Sequence, residues 1–285
     1  MTSKNPPIRR RRLGNELRRL REEKHKKLEE VAEYLGCSVS TVSRIENGQI
    51  RASVSDVRDL LEHYGVPKAD REGYIANAKQ ARQPGWWRLY DDVIATTEGF
   101  RDYVELEDQS SSLRVFENAL VPGLLQTEAY ARAVFEFQSR ASEREIARRI
   151  QLRMTRQKIL DRSESPSYLA VLDEAVLRRT VRNPEIMCAQ LRHLLNRALL
   201  PRITIQIVPF SRSAYLGQDG PLTVLTLSGP PNSELIHIEG QAGSIYLEEP
   251  EAIARKIEDF TLIHQTALSP RDSQDFIRSV IEDLT

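Results

Sequence analysis

The sequence predicts two domains of different class: a mainly α, five-helix N-terminal domain built around a helix-turn-helix, and a C-terminal α+β domain with a small, mostly antiparallel sheet. Three observations carry this. Apolar residues recur with a helical period from Leu13 to about Gln80, Pro84-Gly85 then breaks the pattern, and beyond Pro201 the period shortens to the alternation of strands. The chain has 285 residues, enough for two domains of ~100–200 residues each.

The helices follow in order. Leu13, Leu17 and Leu20 recur at i, i+4 and i+7 on one face of a first helix. Leu28, Val31, Ala32 and Leu35 repeat the pattern in a second, which Gly36 ends. Ser38 suits the N-cap of a third helix with Val42 and Ile45 facing inward, and Asn47-Gly48 stops it. Ser53 with Asp56 forms a capping box for a fourth, with Val57, Leu60, Leu61 and Tyr64 inside and Gly65 after it. A fifth runs from about Ala69 to about Gln80. Two short helices joined by Gly36-Cys37-Ser38 pack closely only if the crossing residue is small and the turn sharp. Ala32 and Gly36 meet those needs, and Val42 plugs the gap, which is the helix-turn-helix constraint. The solvent face of the third helix is then Val39, Ser40, Ser43 and Arg44. Cys37 reads as a small half-buried turn residue.

Charge separates the domains. The chain is neutral overall, yet residues 1–83 carry 18 basic and 12 acidic side chains, a net of +6, against 23 and 29, a net of −6, in the remainder. Residues 4–27 alone hold 11 basic and 3 acidic groups. A polyanion partner for the N-terminus follows. Residues 1–12, with Arg9, Arg10, Arg11 and Arg12, read as a basic disordered arm suited to phosphates or a narrow minor groove. The organisation expected is thus an arm over 1–12, a DNA-binding domain over 13–83 and an α+β domain over 84–285.

The run Leu28-Glu29-Glu30-Val31-Ala32, with Leu35-Gly36 and Ser43-Arg44-Ile45-Glu46-Asn47-Gly48, resembles the Xre-type, phage-repressor-like helix-turn-helix family. The resemblance implies that the third helix lies in the major groove of an operator. Ser40 and Arg44 become the best base readers, Ser43 joins them, and Val39 is placed to touch a thymine methyl. An arginine in such a position bonds guanine O6 and N7 together. Lys26, Lys27 and Ser38 are expected on the DNA backbone with the arginine arm. Arg21 and Glu46 hold the family's structural ion pair between helices 1 and 3. One departure stands out: Lys27 occupies the N-cap of helix 2, where the family places Ser or Thr. Lysine cannot cap, and its charge opposes the helix dipole, so helix 2 is expected to begin loosely.

In the C-terminal region Trp86, Trp87 and Tyr90 form an aromatic cluster that reads as a hinge. Helices are expected near Thr127–Gln138 and Glu143–Asp161, and another with Asn183 as N-cap and Pro184 at its first position. Ile203, Ile205 and Ile207 alternate as a strand, followed by strands at Leu222–Leu227, Leu235–Glu239 and Ser244–Leu247. Two amphipathic helices close the chain, after Pro250 and Ser269. No nucleophile elbow, phosphate loop, zinc-protease motif or dinucleotide fingerprint is present, so no catalytic residue, cofactor or metal is expected. His237 and Glu239 share a strand face, with Asp173 and Glu174 at another strand's end; they make either a polar pocket or a satisfied surface.

Trp86-Trp87, Leu120-Val121-Pro122-Gly123-Leu124-Leu125-Gln126-Thr127, Val171–Arg179 and Asp219-Gly220-Pro221 extend the resemblance. They are similar to an actinobacterial domain of unknown function that follows an Xre-type reader in WhiJ-like regulators. This implies transcriptional regulation, often by an antitoxin-like protein encoded beside a small partner protein. The expected partners are a double-stranded DNA operator, a second copy in a homodimer, and either that small protein or a small-molecule ligand. No apolar run approaches the ~18 residues of a membrane span, the charged start shows no leader, and Cys37 and Cys188 match no metal spacing. A cytoplasmic, nucleoid-associated protein is expected.

Overall fold

The computed structural model describes residues 8–80, 85–94, 99–138, 141–212, 216–227, 234–240 and 243–285. The expected domain boundary at 83/84 lies outside these residues. The chain divides between Arg88 and Leu89 into two compact units.

The N-terminal unit holds α1 (Ile8–Glu23), α2 (Leu28–Tyr34), α3 (Val39–Glu46), α4 (Val54–His63) and α5 (Lys68–Gln80). Its core joins Leu17 and Leu20 to Val31, Ala32, Val42, Ile45, Val57, Leu60, Leu61 and Tyr64. The Ser53–Asp56 capping box is formed in both directions. After α2, Gly36 N–H donates to Glu33 O and Cys37 N–H to Ala32 O, and Gly36 takes φ +63°. This is a Schellman stop, which satisfies the last carbonyls while turning the chain sharply. Lys27 stands at the N-cap of α2 and makes no side-chain cap. The loop before it is held from elsewhere, by Arg21 Nη1 donating to Lys26 O at 3.0 Å.

The arginine run departs from expectation. α1 begins at Ile8, which is fully buried, so Arg9–Arg12 are helical and not a disordered arm. Arginine is a strong helix former, and Ile8 supplies an apolar anchor that charge counting hides. Residues 1–7 and the side chain of Arg9 lie outside the described residues.

α1 and α3 cross without room for a side chain. A Cβ at Gly14 would sit 2.4 Å from Glu46 O and 2.5 Å from Ile45 O, and one at Gly48 would sit 2.6 Å from Arg11 N. Backbone cannot yield as a flexible side chain can. Gly14→Ala is therefore expected to destabilise the N-terminal unit by roughly 1–3 kcal/mol, read from the urea midpoint of its helical signal. An unchanged midpoint would show that the crossing relaxes freely.

The C-terminal unit follows a 3₁₀ turn at Trp86–Tyr90. It contains α6 (Asp91–Ile94), α7 (Phe100–Gln109), β1 (Ser110–Glu117), α8 (Glu128–Gln138), α9 (Glu143–Gln157), β2 (Ser167–Asp173), α10 (Glu174–Arg178), α11 (Pro184–Arg197), β3 (Ile203–Val208), β4 (Leu222–Leu227), β5 (Glu234–Gly240), β6 (Gly243–Leu247), α12 (Pro250–Thr266) and α13 (Pro270–Leu284). The six strands form one sheet in the order β3-β2-β1-β4-β5-β6. β1, β2 and β3 run parallel; β1–β4, β4–β5 and β5–β6 pair antiparallel. The α+β class stands, but the sheet is mixed where a mostly antiparallel one was expected. Parallel pairing requires a crossover connection, and the helices between β1, β2 and β3 supply it. One face, with Phe116, Val171, Val208, Leu222, Val224 and Ile236, packs on Phe260 and Ile263 of α12. On the other face Leu113, Val115 and Glu117 of β1 align with Thr223, His237 and Glu239 across β4 and β5.

Candidate nucleic-acid interface

α3 is built from its cap upward. Ser38 is extended, and its Oγ accepts from Thr41 N at 3.1 Å and lies 2.9 Å from Thr41 Oγ1. Val42 and Ile45 enter the core, which turns Val39, Ser40 and Arg44 to solvent. Ser43 is half-buried, and its Oγ accepts from Asn47 Nδ2 at 3.3 Å. Of the four residues expected to read bases, three are thus open and Ser43 is engaged with the helix end.

The rear of the helix is fixed by charge. Arg21 Nε donates to Glu46 Oε1 at 2.7 Å and Nη2 to Oε2 at 3.0 Å, with Arg21 9% and Glu46 4% exposed. This fork-on-fork pair fixes direction as well as distance. Lys26 is half-buried and Lys27 exposed. Arg10, Arg11 and Arg12 are half-buried on α1, whose backbone at Arg11 abuts the Gly48 turn that ends α3. A helix C-terminus carries partial negative charge, so arginines beside it are stabilised where they lie. The sequence reading missed Gly14. Its only signal was a glycine inside an otherwise regular helix.

In the C-terminal unit the four polar residues do not meet. Asp173 caps α10, its Oδ1 accepting from Ala175 N at 2.7 Å. Glu174 accepts from Phe210 N at 2.7 Å and from Arg178 Nε at 2.5 Å. His237 is buried with its Nε2 3.1 Å from Ser244 Oγ, and burial pushes it down to about 3, so the ring is neutral.

Two family models match. A helix-turn-helix domain covers residues 12–73, the unit that carries α3. A domain of unknown function, DUF5753, covers residues 100–279, more than half of the chain. The chain belongs to the DUF5753 family. No curated protein and no solved structure matches it. Within the DUF5753 domain the Val121–Thr127 run is clamped by carboxamides. Gln126 Nε2 donates to Val121 O at 2.7 Å, and Gln157 Nε2 to Gly123 O at 2.9 Å and Gln126 O at 2.7 Å. Gln190 donates to Leu125 O at 2.7 Å and accepts from Thr127 N at 2.7 Å. The run that carries the DUF5753 resemblance is thus a rigid loop whose backbone groups are satisfied by three glutamines. Among the described residues no helix is long and apolar enough to cross a membrane.

Proposed function

We propose that the chain is a sequence-specific, Xre-type transcriptional regulator that reads an operator with α3. The observation that carries this is the division of that helix. Val39, Ser40 and Arg44 are open on one side, while Val42, Ile45 and Glu46 are locked on the other. The net charge of +6 over residues 1–83 supplies the phosphate attraction. Arg44→Ala is expected to weaken operator binding by ~1–3 kcal/mol and to relax preference at one base pair. Lys27→Ala is expected to weaken all duplexes equally and to lower the slope of log affinity against log salt by ~0.9. Binding titrations on an operator selected from random duplexes decide this. An Arg44→Ala protein with unaltered base preference would refute the assignment.

The reading continues beyond the helix. A reader of this size covers one half-site, so a homodimer on half-sites ~34 Å apart is the assembly proposed. The DUF5753 domain receives the signal, from a small neighbouring protein or a small molecule, and catalyses nothing. The protein is cytoplasmic and nucleoid-associated, in keeping with its actinobacterial, WhiJ-like resemblance. The alternative is an antitoxin-like protein that neutralises a small partner and represses its own operon. That alternative predicts a stoichiometric partner on purification, whereas the regulator predicts operator affinity without one.

A further inference from the structure

On the sheet face that packs on α12, the row of residues near the amino ends of β1, β2 and β3 is polar throughout. Ser112 of β1 pairs with Ser167 of β2 and Thr226 of β4, and Thr226 pairs with Glu234 of β5. Arg202, just before β3, comes level with Ser167, because Tyr168 pairs with Ile203 and donates its N–H to Arg202 O at 2.8 Å. The next row is Thr204, Leu169, Arg114, Val224 and Ile236. One row further, α12 and the turn after it close over the sheet. There Gln206 Nε2 donates to Leu268 O at 2.7 Å, and Gln206 Oε1 lies 2.7 Å from His264 Nε2. Nearer the amino ends a groove of about 300 Å³ remains, lined by Ser112, Ser167, Leu169, Pro201, Arg202 and Thr204. Among the described residues the side chains of Ser112, Arg202 and Thr204 make no hydrogen bond or ion pair, and Ser167 Oγ reaches only Ser111 O, at 3.5 Å. Ser112 and Thr204 are half-buried, and Arg202 is exposed. Two strand spacings separate the Cα atoms of Ser112 and Arg202 by roughly 10 Å. The neighbouring Arg114 is neutralised by Glu234 and lies 5.8 Å from the centroid of the Phe260 ring.

We propose that this groove binds a small organic acid as its carboxylate, held by Arg202 with Ser112 and Thr204, its apolar body resting on Leu169 and Pro201. The assignment of this acid as the signal rests on the regulatory reading above; the binding itself does not. A guanidinium takes a carboxylate through two parallel bonds of ~2.7–2.9 Å. The carboxylate oxygens keep lone pairs for hydroxyl donors, and Ser112 and Thr204 supply these from the sheet. Charge selects among anions. Arg202 is the one cation among the lining residues, and Glu234 ends the same row of the sheet. One negative charge is therefore matched, while a dianion such as phosphate carries a second that only repels Glu234. An amine is disfavoured by Arg202 itself. The volume stands at the low end of small-ligand pockets, ~300–1,000 Å³, which suits an acid with a short chain or a single ring.

The test uses the full chain with ¹³C-methyl threonine and leucine, following the Thr204 and Leu169 methyls by NMR at pH 7.5, assigned by Thr204→Ser and Leu169→Ile. The probes are benzoate, benzyl alcohol of nearly the same shape, inorganic phosphate, and chloride at equal ionic strength. Benzoate is expected to shift both methyls saturably, and the other three to leave them in place. Arg202→Gln, a change at an exposed side chain, is expected to weaken benzoate at least tenfold with the remaining spectrum intact. Ser112→Ala is expected to weaken it roughly 2–10-fold. No saturable shift with benzoate, an equal shift with benzyl alcohol, phosphate or chloride, or undiminished benzoate affinity in Arg202→Gln would overturn the proposal. Operator binding is not part of this measurement, so its outcome and that of the regulatory reading fail separately.

Discussion

Glu46→Ala is expected to destabilise the N-terminal unit by ~3–5 kcal/mol, the largest effect of any single change proposed for that unit. The reason is what it leaves behind. Arg21 is 9% exposed, and both of its direct Glu46 contacts disappear together. Its remaining bonds reach Lys26 O at 3.0 Å and Glu22 at 3.4 Å, the latter on an exposed side chain. A guanidinium held by one carbonyl and one distant carboxylate is a buried charge without compensation. Glu46→Gln keeps the shape and loses only charge, so its cost is expected to be smaller. Replacing both partners, Arg21→Met with Glu46→Leu, is expected to recover most of the loss, since an apolar pair carries no desolvation penalty. Urea denaturation followed at the helical signal measures all three. A double variant no more stable than Glu46→Ala would show that the pair contributes net attraction and not merely mutual neutralisation.

The second large effect is a pH dependence in the C-terminal unit. Burial first, then the charge of Glu239, push the Glu117 carboxyl up to about 8 in the folded chain, from the ordinary value of 4.5 when unfolded. Between those values the folded chain holds a proton that the unfolded chain has lost. Its contribution to stability is therefore present below pH 4.5 and falls away as pH rises through 8. Glu117 retains some accessible surface, which limits the loss to about 2–3 kcal/mol. His237 acts in the opposite sense. It is held near 3 when folded, so stability is lost as pH falls from about 6.5 toward 3. The two together place the wild-type optimum between about pH 5 and 6. Glu117→Gln is expected to remove the alkaline limb and leave a plateau above pH 6.5, seen as thermal midpoints measured from pH 4 to 9. Parallel profiles for the two proteins would mean that Glu117 ionises freely.

Local signals were legible and non-local ones were not. Ser38, Ser53, Asn183 and Ser269 each cap the helix that their positions announce, because a cap is a contact within three residues. The strands at Ile203–Val208 and Leu222–Leu227 alternate or run apolar, and both appear where expected. β1 escaped notice because it opens on Ser110-Ser111-Ser112, poor strand formers whose place is set by β2 and β4 on either side. α7 went unseen, with its polar sequence FRDYVELEDQ. Parallel pairing of β1 with β2 is a fact of topology, invisible to periodicity. The same holds for the charged groups inside the DUF5753 domain. Glu107 and Arg156 lie 49 residues apart and Glu117 and Glu239 further still. Only the fold makes them neighbours.

The two sides of α3 use separate residues, and that separation bears on how such a protein diversifies. Val42, Ile45 and Glu46 answer to the core, to Gly14 and to Arg21. The side chains of Val39, Ser40 and Arg44 are open to solvent. Substitutions on the outer set can accumulate without eroding the fold, so a lineage can move from one target sequence to another in single steps, each of them a stable protein. The inner set offers no such freedom, since a change there forfeits the platform on which any new preference would be displayed.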